Sequence, residues 1–145
     1  MIKQVKKHWG SELWIADGKE TPYALKRIFF KSGNRTSLQV HKFKHETNYV
    51  LSGTGNLYIS KESFDVDRFL SEGMDSEELF KYESTLQLVD LYKGVVFHVK
   101  PGYVHRVVAV SDLEFIEAST CELDDVIRLQ DDFGRNHGTI LSEHN

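Results

Sequence analysis

From residue 24 onward the apolar residues of this chain come in short runs rich in β-branched and aromatic types: "ALKRIFF", "NYVLSGTGNLYI", "STLQLVDLY", "VVFHV", "VHRVVAV" and "LEFIEA". Runs of this length and composition are strands. Between "NYVL" and "NLYI" the stretch "SGTG" supplies glycines where a hairpin needs positive φ, and "KPGY" marks another tight turn ahead of "VHRVVAV". A mostly antiparallel β structure is therefore expected. Residues 61–83, "KESFDVDRFLSEGMDSEELFKYE", depart from the pattern, with eight acidic and three basic side chains and irregularly spaced apolar residues at Phe64, Phe69, Leu70, Leu79 and Phe80. This segment reads as an acidic insertion outside the sheets. It has room for one or two short helices broken near Gly73, with its charges on a solvated face. The carboxyl end, "CELDDVIRLQDDFGRNHGTILSEHN", reads as a short final element and a polar tail.

The 145 residues suffice for one domain with a real core, and a composition 40% hydrophobic and 28% charged is that of an ordered globular protein. A formal net charge of −4 gives no overall basic footprint for nucleic acid or an anionic membrane, although "KQVKKH" forms a local basic stretch. The single cysteine, Cys121, allows neither an intramolecular disulfide nor a cysteine cluster for zinc, which favours a reducing compartment. It is expected to be a small buried apolar residue. The start, "MIKQVKKHWG", lacks the apolar core of a secretory signal, and no run approaches the roughly 20 apolar residues of a membrane span. The protein is expected to be cytoplasmic, with no nucleic-acid or membrane partner.

The chemistry concentrates in residues 33–55, "GNRTSLQVHKFKHETNYVLSGTG". In a strand, side chains two apart share a face, so Gln39 and His41 point the same way. A loop separates them from Glu46, and His105 opens the strand after the Pro101-Gly102 turn, so four potential metal ligands can converge. His45, next to Glu46, should face the other way, and His8, His137 and His144 lie near the ends and read as solvated. His98 shares a face with Val96 and Lys100, turned either to a cavity or to water. Arg106 should point away from His105, into a structural ion pair.

The spacing of Gly33, Gln39, His41, Glu46 and Gly53 resembles the first motif of the cupin superfamily, and Gly102 with His105 resembles the second. The chain is most similar to the mannose-6-phosphate isomerase domain that ends bifunctional mannose-1-phosphate guanylyltransferases. The likeness spans nearly the whole chain: "KKHWGSELWI" at the start, "YALKRIFFKSGNRTSLQVH", and the "DDVIRLQDDFGR" end. Lys42, Phe43 and Asn48 depart from it, standing where that family usually has further histidines and a tryptophan. The acidic insertion is longer than the family's hairpin. These 145 residues contain no counterpart of the nucleotidyltransferase half, so sugar-nucleotide synthesis by this chain alone is not expected.

The resemblance implies an all-β cupin jelly-roll barrel (a double-stranded β-helix) as a single domain over residues 1–145, with 61–83 inserted. It implies one divalent metal ion held by Gln39, His41, Glu46 and His105. Imidazole, carboxylate and amide oxygen suit zinc, manganese, iron, cobalt or nickel alike. The expected function is a metal-dependent sugar-phosphate isomerase that interconverts an aldose and a ketose, with Lys100, His98, Arg128 and Arg135 as candidates for holding the substrate. Two rivals remain: an iron dioxygenase-like enzyme using His41, Glu46 and His105 alone, and a sugar-binding module without turnover. A homodimer is expected, because small cupins commonly pair and "HWGSELWI" offers apolar surface.

Overall fold

The computed structural model describes residues 2–130 and, as backbone, 138–139. The chain starts with β1 (Lys3–Lys7), β2 (Gly10–Asp17) and β3 (Ala24–Phe30), then β4 (Leu38–Val40), β5 (Glu46–Ser52) and β6 (Gly55–Ile59). Two helices follow, α1 (Val66–Glu72) and α2 (Ser76–Glu83). The strands resume as β7 (Gln87–Leu91), β8 (Val96–Val99), β9 (His105–Ala109), β10 (Leu113–Ser119), β11 (Ile127–Gln130) and β12 (Gly138–Thr139). They form two six-stranded sheets in the orders β1-β2-β3-β10-β5-β8 and β12-β11-β4-β9-β6-β7. Every pairing is antiparallel. The expected jelly roll is therefore present, but the hairpin expected at "SGTG" is not: β5 and β6 lie in different sheets, and Gly53 turns the chain from one sheet to the other. There φ is +86°, and a Cβ would sit 1.8 Å from the Asp112 carbonyl oxygen, so only glycine fits.

The inner faces of the two sheets change character along the barrel. On β3 the inward series runs Lys26, Ile28, Phe30; on β5 Glu46, Asn48, Val50; on β9 His105, Val107, Ala109; on β10 Glu117, Phe115, Leu113. All twelve side chains are buried. The apolar members join Trp9, Leu57, Leu91, Phe97 and Val99 in one core, and Trp9 stacks on Phe30 with ring centroids 4.1 Å apart. One end of the barrel is thus filled by hydrocarbon, and the other is lined by charge.

The insertion forms the expected helices outside the barrel. Asp65 and Asp75 cap them by accepting the Arg68 and Glu78 amides, and α1 stops at Gly73. They are packed, however, and not merely solvated. Val66, Phe69 and Leu79 bury against Leu38, Val40, Val104, Ile127 and Leu129 in a second core. Strand β4 is consequently two-faced: Leu38 and Val40 turn to the helices, and Gln39 turns to the barrel interior.

Two further expectations need correction. Cys121 is exposed, in the connection leaving β10 where no sheet covers it. Trp9 and Trp14 are buried within the chain, so the aromatic stretch "HWGSELWI" does not leave its tryptophans as free apolar surface. No described helix is long and apolar enough to cross a membrane.

Candidate metal centre

His41, Glu46 and His105, contributed by the end of β4 and by β5 and β9, are buried together with ligand atoms all within 4.8 Å of one another. His41 Nε2 lies 3.1 Å and His105 Nε2 3.9 Å from the same carboxylate oxygen, Glu46 Oε1. The outer nitrogens are tied back to the chain. His41 Nδ1 donates to the Asp125 carbonyl at 2.6 Å, and His105 Nδ1 donates to the Tyr103 carbonyl at 3.0 Å. A carbonyl can only accept, so each Nδ1 carries the proton and each Nε2 presents a lone pair to the Glu46 carboxylate. Lone pair facing carboxylate across 3.1 Å requires a proton or a cation between them. Nδ1–H anchored on a backbone carbonyl is also how protein frameworks orient metal-binding imidazoles. The residues therefore fit a divalent ion.

Asp125 does more than hold His41. Its carboxylate accepts the amides of Lys42, Phe43 and Lys44 at 3.1, 2.6 and 2.9 Å, fixing the loop between the two ligands. Gln39 is the cross-strand neighbour of His105, lines the same cavity and accepts the Ser37 hydroxyl at 3.0 Å on its amide oxygen.

Around this triad lies a buried ionic layer that the sequence reading passed over. Across the first sheet, Trp14, Lys26, Glu117, Asn48 and Phe97 stand in register on β2, β3, β10, β5 and β8. Lys26 Nζ sits 3.4 Å from Glu12 and 4.4 Å from the Trp14 ring centroid, and Lys44 Nζ lies 3.2 Å from Glu117. The visible signal was alternation: Lys26 shares parity with Ile28 and Phe30, and Glu117 with Leu113 and Phe115, so both charges fall on apolar faces.

The electrostatics follow from burial and crowding. Burial alone would raise the Glu46 carboxyl, but the Lys44 ammonium, together with the adjoining His41 and Glu117, outweighs it and holds Glu46 well below the ordinary carboxylate range. Burial and the Glu46 charge push Glu117 up to about 8. The two carboxyls behave as a pair sharing one proton. Lys44, although buried, is raised by Glu117, Glu46 and Glu12 and stays an ammonium. Burial lowers Lys26 against the pull of Glu117 and Glu12. Burial and the neighbouring His41 bring His105 down to about 4, so near neutral pH its Nε2 is free to bind a cation.

The other candidate residues fall elsewhere. His98 is exposed, bonded through Nδ1 to the Thr47 hydroxyl at 2.9 Å, because Phe97 and Val99 take the inward positions of β8. Lys100 is exposed beyond the end of that strand. Arg128 is buried beside Gln39 on β11. Arg135, His137 and His144 lie outside the described residues. His45 is exposed, and Arg106 turns away from the cavity to donate to the Thr36 carbonyl and the Gln130 amide oxygen.

The barrel is the cupin fold. No family model matches the chain, and no curated protein sequence matches it. Among solved structures, the capsular polysaccharide assembling protein CapF from Staphylococcus aureus aligns over 90% of this chain and 35% of its own, at 17% identity and TM-score 0.60. The formate complex of Lactobacillus farciminis oxalate decarboxylase aligns over 88% and 33%, at 15% identity and TM-score 0.62. Bacillus subtilis oxalate decarboxylase, a protein with Mn(II) centres, aligns over 88% and 30%, at 17% identity and TM-score 0.62. The chain thus spans about a third of the length of these proteins.

Proposed function

We infer that this chain is a divalent-metal cupin enzyme acting on a small oxygen-rich substrate inside the barrel. The observation that carries this is the convergence of His41 Nε2, His105 Nε2 and Glu46 Oε1, with both Nδ1 protons held by backbone carbonyls. The Mn(II) centres of Bacillus subtilis oxalate decarboxylase support a metal on this fold. Bound by these residues, with Gln39 as a weaker fourth, the ion would act as a Lewis acid on substrate oxygens. The chain's own part is to orient the ligands, exclude water and exchange protons, for which the Glu46–Glu117 pair and Lys44 stand in the same cavity. Among reactions of this kind, aldose–ketose isomerisation of a sugar phosphate is the one that the resemblance to mannose-6-phosphate isomerase favours.

The test is elemental analysis of the purified chain together with turnover assays on hexose phosphates. Stoichiometric metal with interconversion of mannose and fructose 6-phosphates is the expected result. Metal without turnover on any hexose phosphate would leave a binding module or another metal-assisted reaction, and no metal after reconstitution would sink the reading.

A further inference from the structure

Asn48 is completely buried on β5, and its Nδ2 donates to Glu46 Oε2 at 3.2 Å. A carboxylate oxygen can only accept, so this bond fixes the amide with Oδ1 turned the other way. Among the described residues Oδ1 has no hydrogen-bond partner, although Asn48 lines the cavity beside the metal ligands. An unsatisfied buried acceptor costs about 1–3 kcal/mol, so this position calls for a hydroxyl from whatever fills the cavity.

The second observation is the charge of the same wall. Lys26 and Lys44 line the cavity together with Glu12, Glu46 and Glu117. Two ammoniums and a divalent ion outweigh three carboxylates by one unit. Lys7 and His8 also line the cavity. Buried charge is compensated where it sits, so the loaded cavity demands an anion.

We propose that the wall formed by Asn48, Lys26 and Lys44 is a subsite for a hydroxyl group adjacent to an anionic oxygen. That pattern is shared by 2-hydroxycarboxylates and by the enediolate of a hydroxy carbonyl compound. The cavity volume of about 80 Å³ suits such a head group, on the order of five water-sized groups. A phosphorylated sugar would insert only its carbonyl end, leaving its phosphate at the mouth near Lys7 and His8. The inference rests on the metal reading and narrows it to a substrate class.

The experiment is calorimetric titration of the Mn(II)-loaded chain with glycolate and, separately, with acetate, which lacks only the hydroxyl. Glycolate is expected to bind about tenfold tighter, as one hydrogen bond to a buried acceptor contributes. Asn48→Ala should erase that preference with Mn(II) still bound. Lys26→Met, which removes one unit of the positive excess, should weaken both anions about tenfold. Competition of mannose 6-phosphate with glycolate identifies the head of a sugar as the natural occupant, and its absence identifies a hydroxy acid; either agrees with the subsite. Equal affinity for glycolate and acetate overturns the inference, as does a preference that survives Asn48→Ala. The comparison within the unaltered chain decides the matter even if a variant does not fold. A chain that takes up no Mn(II) overturns the underlying metal reading instead, and reveals this before any anion is added.

Discussion

Asp125 accepts the Nδ1 proton of His41 on its backbone carbonyl at 2.6 Å while its carboxylate gathers the amides of residues 42 to 44. One residue next to β11 thereby sets both the tautomer of a metal ligand and the path of the loop to the next ligand. Asp125→Ala keeps that carbonyl but releases the loop between His41 and Glu46, and should lower metal affinity roughly tenfold, the lower end of the effect of disturbing groups that orient ligands. It should also destabilise the chain by about 2 kcal/mol through the lost charge-assisted bonds. Competitive chelator titration and urea unfolding check the two effects.

The ligands themselves should respond unequally. His105→Ala is expected to abolish stoichiometric metal, together with the stability that metal contributes by binding only the folded state. Gln39→Ala should weaken binding less, because a water can take its place. His45→Ala, exposed on the opposite face, should leave metal content unchanged. If His45→Ala strips the metal and His105→Ala keeps it, the ligand assignment is wrong.

Acid and base should act on the metal-free protein in opposite directions. His105 is neutral down to about pH 4, whereas an unperturbed histidine titrates at 6.5. Between those values the unfolded chain takes up a proton the folded one refuses, so stability falls as the pH drops through this window. Glu117, raised from 4.5 to about 8, keeps its proton in the folded state, so its contribution is lost as the pH rises from 4.5 through 8. Urea midpoints of Glu117→Gln should therefore gain on those of the unaltered chain across that rise. A constant difference would refute the shared-proton pair.

The helical layer should matter for stability and not for the metal. Phe69→Ala empties part of the second core and should cost about 3 kcal/mol. Because Leu38 and Val40 face that core while Gln39 faces the cavity, metal stoichiometry measured well below the melting temperature should stay the same.

Much of this architecture is written locally. Strand-length runs, the Gly53 turn and the two-residue spacing of Gln39 and His41 depend only on backbone periodicity and on which residues tolerate positive φ. Pattern alone therefore specified a mostly antiparallel β structure with short helices broken at Gly73, and the motif resemblance added the jelly roll and the convergence of His41, Glu46 and His105. What lay beyond both depends on register between distant strands. Lys26 meets Glu117 and Asn48 only because β10 pairs with β3 on one side and β5 on the other, across some 70 to 90 positions. Asp125 reaches His41 over 84 positions. Cys121, Trp9 and Trp14 were misjudged for the same reason, since exposure is settled by what packs over a residue. Hydrophobic pattern determines which face a side chain takes, but only the closed barrel decides whose charge or lone pair it meets there.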